Sequence, residues 1–200
     1  IRRIQVDALV VKDTRPWEEQ DRVDKRPIVV ALDGSPHSFY GLGIGAFLAK
    51  QFNKRLQGIA VYDPFLHHSI FRSLAEVLSD EASRFFKFKE QEKLHGEVID
   101  AGLAKIYRSH LEVGERLAAA EGVEMETVLL PGKPFEKILH HVRQQNAWML
   151  ICGRLGAHSE PDMDLGSNAE NLLRLAPCHV LLASNRSAPP PDSRAEEART

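Results

Sequence analysis

Glycine and hydroxyl side chains cluster late in the chain at a spacing that could bind an anion. Gly153 and Gly156 follow a short apolar run, and nine residues separate Gly156 from Gly166. Ser167 and Asn168 come next, where an amphipathic helical pattern begins. Glycine lets a ligand approach the backbone, and the first N–H groups of a helix are unpaired and partly positive, so this arrangement predicts a phosphate site. The spacing is neither GxGxxG nor GxxxxGK(S/T), which excludes those two nucleotide-binding motifs.

Apolar runs of strand length alternate with amphipathic helical patterns through most of the chain. Strands are predicted at residues 27–32, 56–62, 124–130, 148–152 and 179–183. Helices are predicted at residues 38–52, in the second half of 65–122, at 134–146 and from 167 to the proline at 177. This alternation predicts an α/β fold with a parallel sheet and helices on both faces. Three glycines in the first helix are expected to permit close packing on that sheet.

Several polar and glycine positions follow directly after predicted strands. Asp33 follows the first strand, Val61 and Asp63 end the second, and the segment 153–156 follows the fourth. In parallel α/β sheets, ligands bind beyond the carboxyl ends of the strands. This convergence favours a binding site over the alternative that the glycines only turn a strand into a helix.

Composition excludes several classes of protein. The chain has 200 residues, 43% hydrophobic content and a formal net charge of -2, so it has no basic footprint for nucleic acid. No apolar run approaches the ~20 residues that a membrane span needs. Its two cysteines are too few for a disulfide framework, which favours a reducing, cytoplasmic compartment.

The two ends of the chain differ from its centre. Residues 1–25 are predicted to be an N-terminal arm or linker, 26–185 the domain, and 186–200 a disordered, proline-rich tail. The arm contains a strand-like alternation at Ile4, Val6, Ala8 and Val10, although a disordered lead-in explains it equally well. A first residue other than methionine suggests a piece of a longer protein.

Four segments carry a family resemblance. They are ALDGS at residues 31–35, AVYD at 60–63, PGKP at 131–134, and GRLG-x9-GSNAENLLRLAPCHVLL from residue 153. In this order they resemble the universal stress protein family over about residues 26–185. The resemblance implies a doubly wound, five-stranded parallel sheet of order 3-2-1-4-5. It also implies a homodimer through the last strand, His179 to Ala183, or contact with a neighbouring domain of a longer chain.

The resemblance further implies ATP as the ligand. By analogy, the Asp33 carboxylate would bind the ribose hydroxyls, the backbone near Val61 would meet the adenine, and the glycine motif would hold the phosphates. The expected nucleotide-binding positions are Ala31, Asp33, Val61, Gly153, Arg154, Gly156, Gly166, Ser167 and Asn168.

The spacer between Gly156 and Gly166 departs from the family pattern. Its sequence, AHSEPDMDL, contains Glu160, Asp162 and Asp164 but neither lysine nor arginine. A carboxylate 4 Å from a phosphate costs ~1 kcal/mol or more, depending on the local dielectric. A bridging Mg²⁺ would reverse this repulsion, which makes Asp162 and Asp164 weak candidate metal ligands. The nine histidines show no other spacing typical of a metal site.

These observations predict a nucleotide-binding regulatory or stress-response domain with little or no catalysis. ATP hydrolysis would be slow at most, because neither a general base nor a phosphate-clamping lysine can be assigned. The alternative is a nucleotide-free scaffold whose acidic spacer closes the pocket. Such a scaffold would act through its last strand and the phenylalanine-rich residues 65–90. A third interpretation is an enzyme of the adenine-nucleotide hydrolase type.

Overall fold

A computed structural model describes residues 6–13, 24–64, 88–157, 159 and 163–184. Within these ranges it contains six strands and four helices. The strands are β1 Ala8–Val10, β2 Ile28–Ala31, β3 Leu56–Tyr62, β4 Met125–Pro131, β5 Met149–Gly153 and β6 His179–Ala183. The helices are α1 Pro36–Phe52, α2 Phe88–Ala120, α3 Pro134–Gln144 and α4 Ser167–Leu175. The predicted tail, 186–200, and most of the phenylalanine-rich segment lie outside the described residues.

All six strands form one sheet in the order β1-β6-β5-β2-β3-β4. Strands β2 to β6 are parallel to one another and follow the order that the resemblance implies, so the predicted α/β architecture is confirmed. The sheet differs from the prediction by its sixth strand. β1 comes from the predicted arm and pairs antiparallel with β6.

Helices cover both faces of the sheet because its central strands are apolar on both sides. Val29 and Leu150 point to one face, where they pack in a cluster with residues of α3 and α4. Val30 and Ile151 point to the other face and pack with residues of α1 and α2. This continuous apolar character is what a parallel sheet buried on both sides requires.

Helix α1 lies close to the sheet at two of its three glycines. A Cβ atom on Gly41 would lie 3.1 Å from the Ala183 Cβ, and one on Gly45 would lie 2.8 Å from the Val30 Cγ2. A Cβ atom on Gly43 would meet nothing within 4 Å. The predicted close packing is therefore confirmed at Gly41 and Gly45 only. Phe47 belongs to the same apolar pattern in the sequence as the buried Leu42 and Ala46, yet it is 61% exposed, because the face that carries the two close glycines contacts the sheet.

The long helix α2 contacts the sheet through its second half. The apolar residues of this half recur at helical spacing, and three of these positions, Leu111, Gly114 and Ala118, are buried. Ile106 and Leu117 belong to the same apolar pattern but are exposed. Among the described residues, no helix has the length and apolar character to cross a membrane.

Candidate functional site

The candidate site lies where the chain order of the sheet reverses. β2 is hydrogen-bonded to β3 on one side and to β5 on the other. The connections after β2 and β5 therefore leave towards opposite faces, which opens a crevice at the carboxyl ends of these two strands. Asp33 follows β2, Gly153 ends β5, and α4 begins at Ser167. All three predicted positions thus meet at one edge of the sheet.

The Asp33 carboxylate is held by two backbone N–H groups. Its Oδ1 accepts a hydrogen bond from the Ser35 N–H at 3.0 Å, and its Oδ2 accepts one from the Ala157 N–H at 3.1 Å. A Cβ atom on Gly156 would lie 2.9 Å from the same Oδ2. The carboxylate therefore lies directly against the glycine loop, and Gly156 has no room for a side chain beside it.

A histidine from α2 supports the turn behind Asp33. Gly34 has a φ of +85°, and a Cβ atom there would lie 2.5 to 2.9 Å from three atoms of the His110 ring. The ring packs edge-on against Tyr107, with 5.5 Å between centroids. Burial, followed by the charge of Asp33, raises the pKa of Tyr107. His110 was not among the predicted site residues, because its contact depends on how α2 docks on the sheet.

A second histidine, His37 in the first turn of α1, approaches the end of β5. A Cβ atom on Gly153 would lie 3.0 Å from the His37 Cβ and 3.2 Å from the Ser38 nitrogen. The Nδ1 atoms of His37 and His110 are both buried and have no hydrogen-bond partner within the described parts of the chain. Close approach of α1 therefore explains why Gly153 lacks a side chain.

The spacer folds back onto Gly156. The Gly156 N–H donates to the Ser159 Oγ at 2.9 Å, and the Ser159 N–H donates to the Gly156 carbonyl at 3.1 Å. Ser159 was not among the predicted site residues. A hydroxyl three residues after a glycine is a local turn pattern that could have indicated this contact.

Arg154, which precedes the spacer, forms hydrogen bonds with the residues at the end of the spacer. Its side chain is buried, 4% exposed, and its Nε donates to the Asp164 carbonyl at 2.5 Å. Its backbone carbonyl accepts from the Gly166 N–H at 2.9 Å, and its N–H donates to the Ala183 carbonyl of β6 at 2.8 Å. The structure thus gives Arg154 a role in shaping the loop, and its contact with a ligand stays a prediction.

The start of α4 completes the site. Gly166 is its N-cap and makes no side-chain capping hydrogen bond. Ser167 and Asn168 lie in the first turn, where N–H groups have no partner within the helix. A Cβ atom on Gly166 would lie 3.7 Å from the Gly156 nitrogen. The backbone of Gly156 and the start of α4 are therefore close neighbours at this edge of the sheet.

The two predicted adenine positions lie at the same edge of the sheet, at the carboxyl ends of the neighbouring strands β2 and β3. Ala31 ends β2 and is half-buried, whereas Val61, near the end of β3, has a buried side chain packed in the core beneath α3 and α4. A contact between Val61 and a base would therefore have to involve its backbone, and that contact stays a prediction.

The described part of the chain shows neither a cluster of metal ligands nor an ionised thiol at the candidate site. It contains no group of three or more histidine, cysteine or acidic residues that could hold a metal ion. Asp162 lies outside the described residues, and Asp164 contacts Arg154 through its carbonyl. Burial, followed by the charge of Asp33, raises the pKa of Cys152 to about 12, so this thiol stays neutral and unreactive.

Two cavities lie at the opposite, amino-terminal edge of the sheet. One of about 300 Å³ is lined by residues that precede β5 and β6, among them Asn146, Trp148 and Pro177. The other, of about 480 Å³, includes Asn53 and Gly122, which precede β3 and β4. Neither cavity includes a predicted nucleotide-binding residue. The donor and acceptor chemistry of the carboxyl edge, rather than cavity size, therefore marks the candidate site.

Comparison with known proteins shows which family this chain matches. The family described as "Universal stress protein family" matches residues 25–184. The universal stress protein YxiE of Bacillus subtilis is 29% identical over 157 residues, which are 78% of this chain and 96% of that protein. A universal stress protein of Thermus aquaticus is 26% identical over 158 residues, which are 78% of this chain and 97% of that protein.

Solved structures share the fold. The universal stress protein UspA from Lactobacillus plantarum superposes with a TM-score of 0.60 at 17% identity, covering 80% of this chain and 97% of that one. A universal stress protein solved in complex with cAMP superposes with a TM-score of 0.51 at 19% identity, covering 79% of this chain and 95% of that one. With the family match covering most of the chain and the predicted order of parallel strands in place, this protein belongs to the universal stress protein family.

Proposed function

We propose that this universal stress protein binds an adenine nucleotide at the carboxyl ends of β2 and β5. The observation that carries the proposal is a continuous row formed by Asp33, Gly156 and Gly166. A Cβ atom on Gly156 would lie 2.9 Å from the Asp33 Oδ2, and one on Gly166 would lie 3.7 Å from the Gly156 nitrogen. An acceptor suited to ribose hydroxyls thus lies beside N–H donors suited to phosphates.

The ligand class is an adenosine phosphate of the ATP or AMP type. A solved relative of the same fold holds cAMP, which supports this class. The acidic spacer disfavours the extra charge of a triphosphate, so ATP would bind better with Mg²⁺ than without it. Ala31 and the backbone of Val61 would border the base, and the N–H groups of Ser167 and Asn168 would contact phosphate.

The role that fits this site is regulatory, with little or no catalysis. The spacer supplies neither lysine nor arginine to clamp a phosphate, and the Cys152 thiol is neutral. A cytoplasmic location belongs to this proposal as well, together with a homodimer through β6 once that edge is free. Direct pairing of two β6 strands would first require β1 to leave that edge.

A second candidate function is a nucleotide-free scaffold. One observation favours it: the groups that a nucleotide needs already have partners inside the chain. The Asp33 Oδ2 accepts from the Ala157 N–H, and the Gly156 N–H donates to the Ser159 Oγ. In the nucleotide-binding case, the ligand must replace these two hydrogen bonds.

Calorimetric titration with ATP, ADP and AMP, with and without Mg²⁺, distinguishes the two candidates. We expect micromolar binding to the wild-type protein. Gly156→Ala should weaken binding by about tenfold or more, because its Cβ crowds the Asp33 carboxylate. Gly43→Ala is the matched control, since its Cβ meets nothing within 4 Å. Absence of binding by every nucleotide at millimolar concentration would overturn the proposal and favour the scaffold.

A further inference from the structure

The outer edge of β6 is covered by a segment of the same chain. β1 pairs with it antiparallel, with Ala8 opposite Leu182 and Val10 opposite Val180. β6 itself has no charged residue and no proline. Charges and prolines are the usual means of preventing an exposed edge from pairing with another chain, and covering the edge is the alternative. The arm therefore provides a protection that the sequence of β6 lacks.

One end of this arm is fixed by Asp7. The Ser184 N–H donates to its Oδ1 at 2.7 Å, just beyond the end of β6. The Tyr40 hydroxyl of α1 donates to its Oδ2 at 2.9 Å, and this hydrogen bond is the main reason why the pKa of Tyr40 is raised. A single carboxylate thus holds the arm to both β6 and α1.

The other end is fixed by Lys12. Its backbone N–H donates to the His179 Nδ1 at 3.2 Å. Its ammonium donates to the carbonyls of Leu173 and Ala176, at 2.8 and 2.5 Å. These carbonyls lie at the C-terminal end of α4, where unpaired carbonyls carry partial negative charge and favour a cation. Asp7 and Lys12 therefore fix the two ends of the paired strand.

The arm buries only part of its apolar surface. Leu9, in the middle of β1, is 51% exposed, and Val11 is 53% exposed. Ala8 packs against the core, but half of Leu9 and of Val11 is already in water, so the polar contacts of the two anchors are needed to hold the arm in place. The family match, moreover, begins only at residue 25, so the arm lies outside the matched domain.

We propose that residues 7–12 are a latch that competes with a second copy of this chain for the β6 edge. After release of the latch, two β6 strands can pair antiparallel about a two-fold axis at Leu181, which places Val180 opposite Leu182 of the other copy. Because the latch belongs to the same chain as the domain, its effective concentration is on the order of millimolar. At micromolar protein the latch occupies the edge and the chain is a monomer. This proposal does not depend on nucleotide binding.

The test weakens the latch within the full chain. The variant Asp7→Asn with Lys12→Met removes both charged anchors, and Lys105→Met, on the exposed surface of α2, is the control. Sedimentation equilibrium should show a monomer for the wild type and the control at micromolar concentration. The double variant should dimerise about tenfold to a hundredfold more tightly, because two charge-assisted contacts are lost. A double variant as monomeric as the wild type would overturn the proposal.

Two further measurements separate specific pairing from misfolding. A synthetic peptide of residues 6–13 should return the dimeric double variant to monomer, since it supplies the latch in trans; a dimer unaffected by excess peptide would contradict the proposal. Conversely, Leu9→Cys with Leu181→Cys, which are register partners, should lock the arm when oxidised and keep the protein monomeric. A dimer that persists in the locked protein would equally overturn it.

Discussion

At the scale of single residues, the Asp33 carboxylate determines how the candidate site can work. It accepts backbone N–H groups from Ser35 and from Ala157, and the second of these belongs to the glycine loop. A ribose hydroxyl at this carboxylate would replace the Ala157 N–H. Since a hydrogen bond contributes about 1 kcal/mol net, ligand binding here is an exchange of similar interactions. Affinity then depends on the donors at α4 and on the charge of the spacer.

His141 makes the stability of the fold dependent on pH. Its ring is buried, and its Nε2 lies 3.1 Å from the Gln57 Oε1. Burial, followed by the charge of His140, lowers its pKa from the ordinary value of 6.5. The unfolded chain therefore binds more protons just below pH 6.5, and we expect the free energy of unfolding to fall as the pH drops through that range.

Urea unfolding at about pH 5 and about pH 8 measures this dependence. His141→Gln should reduce it, whereas the exposed control His140→Gln should retain most of it. His179, whose pKa is also lowered by burial, accounts for a remainder in the same direction. Equal pH dependence in the wild type and His141→Gln would show that His141 does not contribute.

Individual site residues were predictable from the sequence where local backbone chemistry defines them. Gly153, Gly156 and Gly166 combine a strand end, a loop and a helix start, and each could be placed from its neighbours alone. Arg154 was also among the predicted positions, but its role in shaping the loop could not be predicted, because its bond to the Asp164 carbonyl is set by the path of the whole spacer. The contact between His110 and Gly34 could not be predicted either, because it joins two residues that lie far apart in the sequence and depends on how α2 docks.

At the scale of elements, α1 shows how glycine sets the distance between a helix and the sheet. Gly45 faces Val30, a fully buried and conformationally stiff side chain, whereas Gly43 faces open space. Gly45→Ala should destabilise the fold by about 1 to 2 kcal/mol, because overpacking exceeds the gain in helix propensity. Gly43→Ala should stabilise it by about 0.5 to 1 kcal/mol. Chemical denaturation measures both variants, and equal effects would refute this difference between the two helix faces.

The elements themselves were largely predictable, because period and composition are local properties. All five parallel strands and α1, α3 and α4 were placed from apolar runs, prolines and glycines. The sixth strand was not, since its alternation over Ala8 and Val10 is also typical of a disordered segment. Its pairing depends on Asp7 and Lys12 reaching β6 and α4, contacts that no local pattern indicates.

At the scale of the whole molecule, the two edges of the sheet differ in chemistry. The carboxyl edge combines an acidic acceptor with backbone donors at Asp33, Gly156 and the start of α4. The amino edge carries the two cavities, one beside Asn146 and one beside Gly122. We therefore propose that the nucleotide binds at the carboxyl edge, where the chain order reverses, and at neither cavity.

Amide resonances recorded by NMR during titration with AMP and with ATP·Mg²⁺ test this assignment most directly. We expect the amide resonances of Gly156, Ala157 and Ser167 to shift with increasing ligand. The Ala157 N–H would lose its hydrogen bond to the Asp33 carboxylate, and the N–H groups at the start of α4 would donate to phosphate. The amides of Asn146 and Gly122, beside the two cavities, should stay unchanged. Amide shifts confined to the amino edge, or no amide shifts at saturating ligand, would contradict nucleotide binding at the carboxyl ends of β2 and β5.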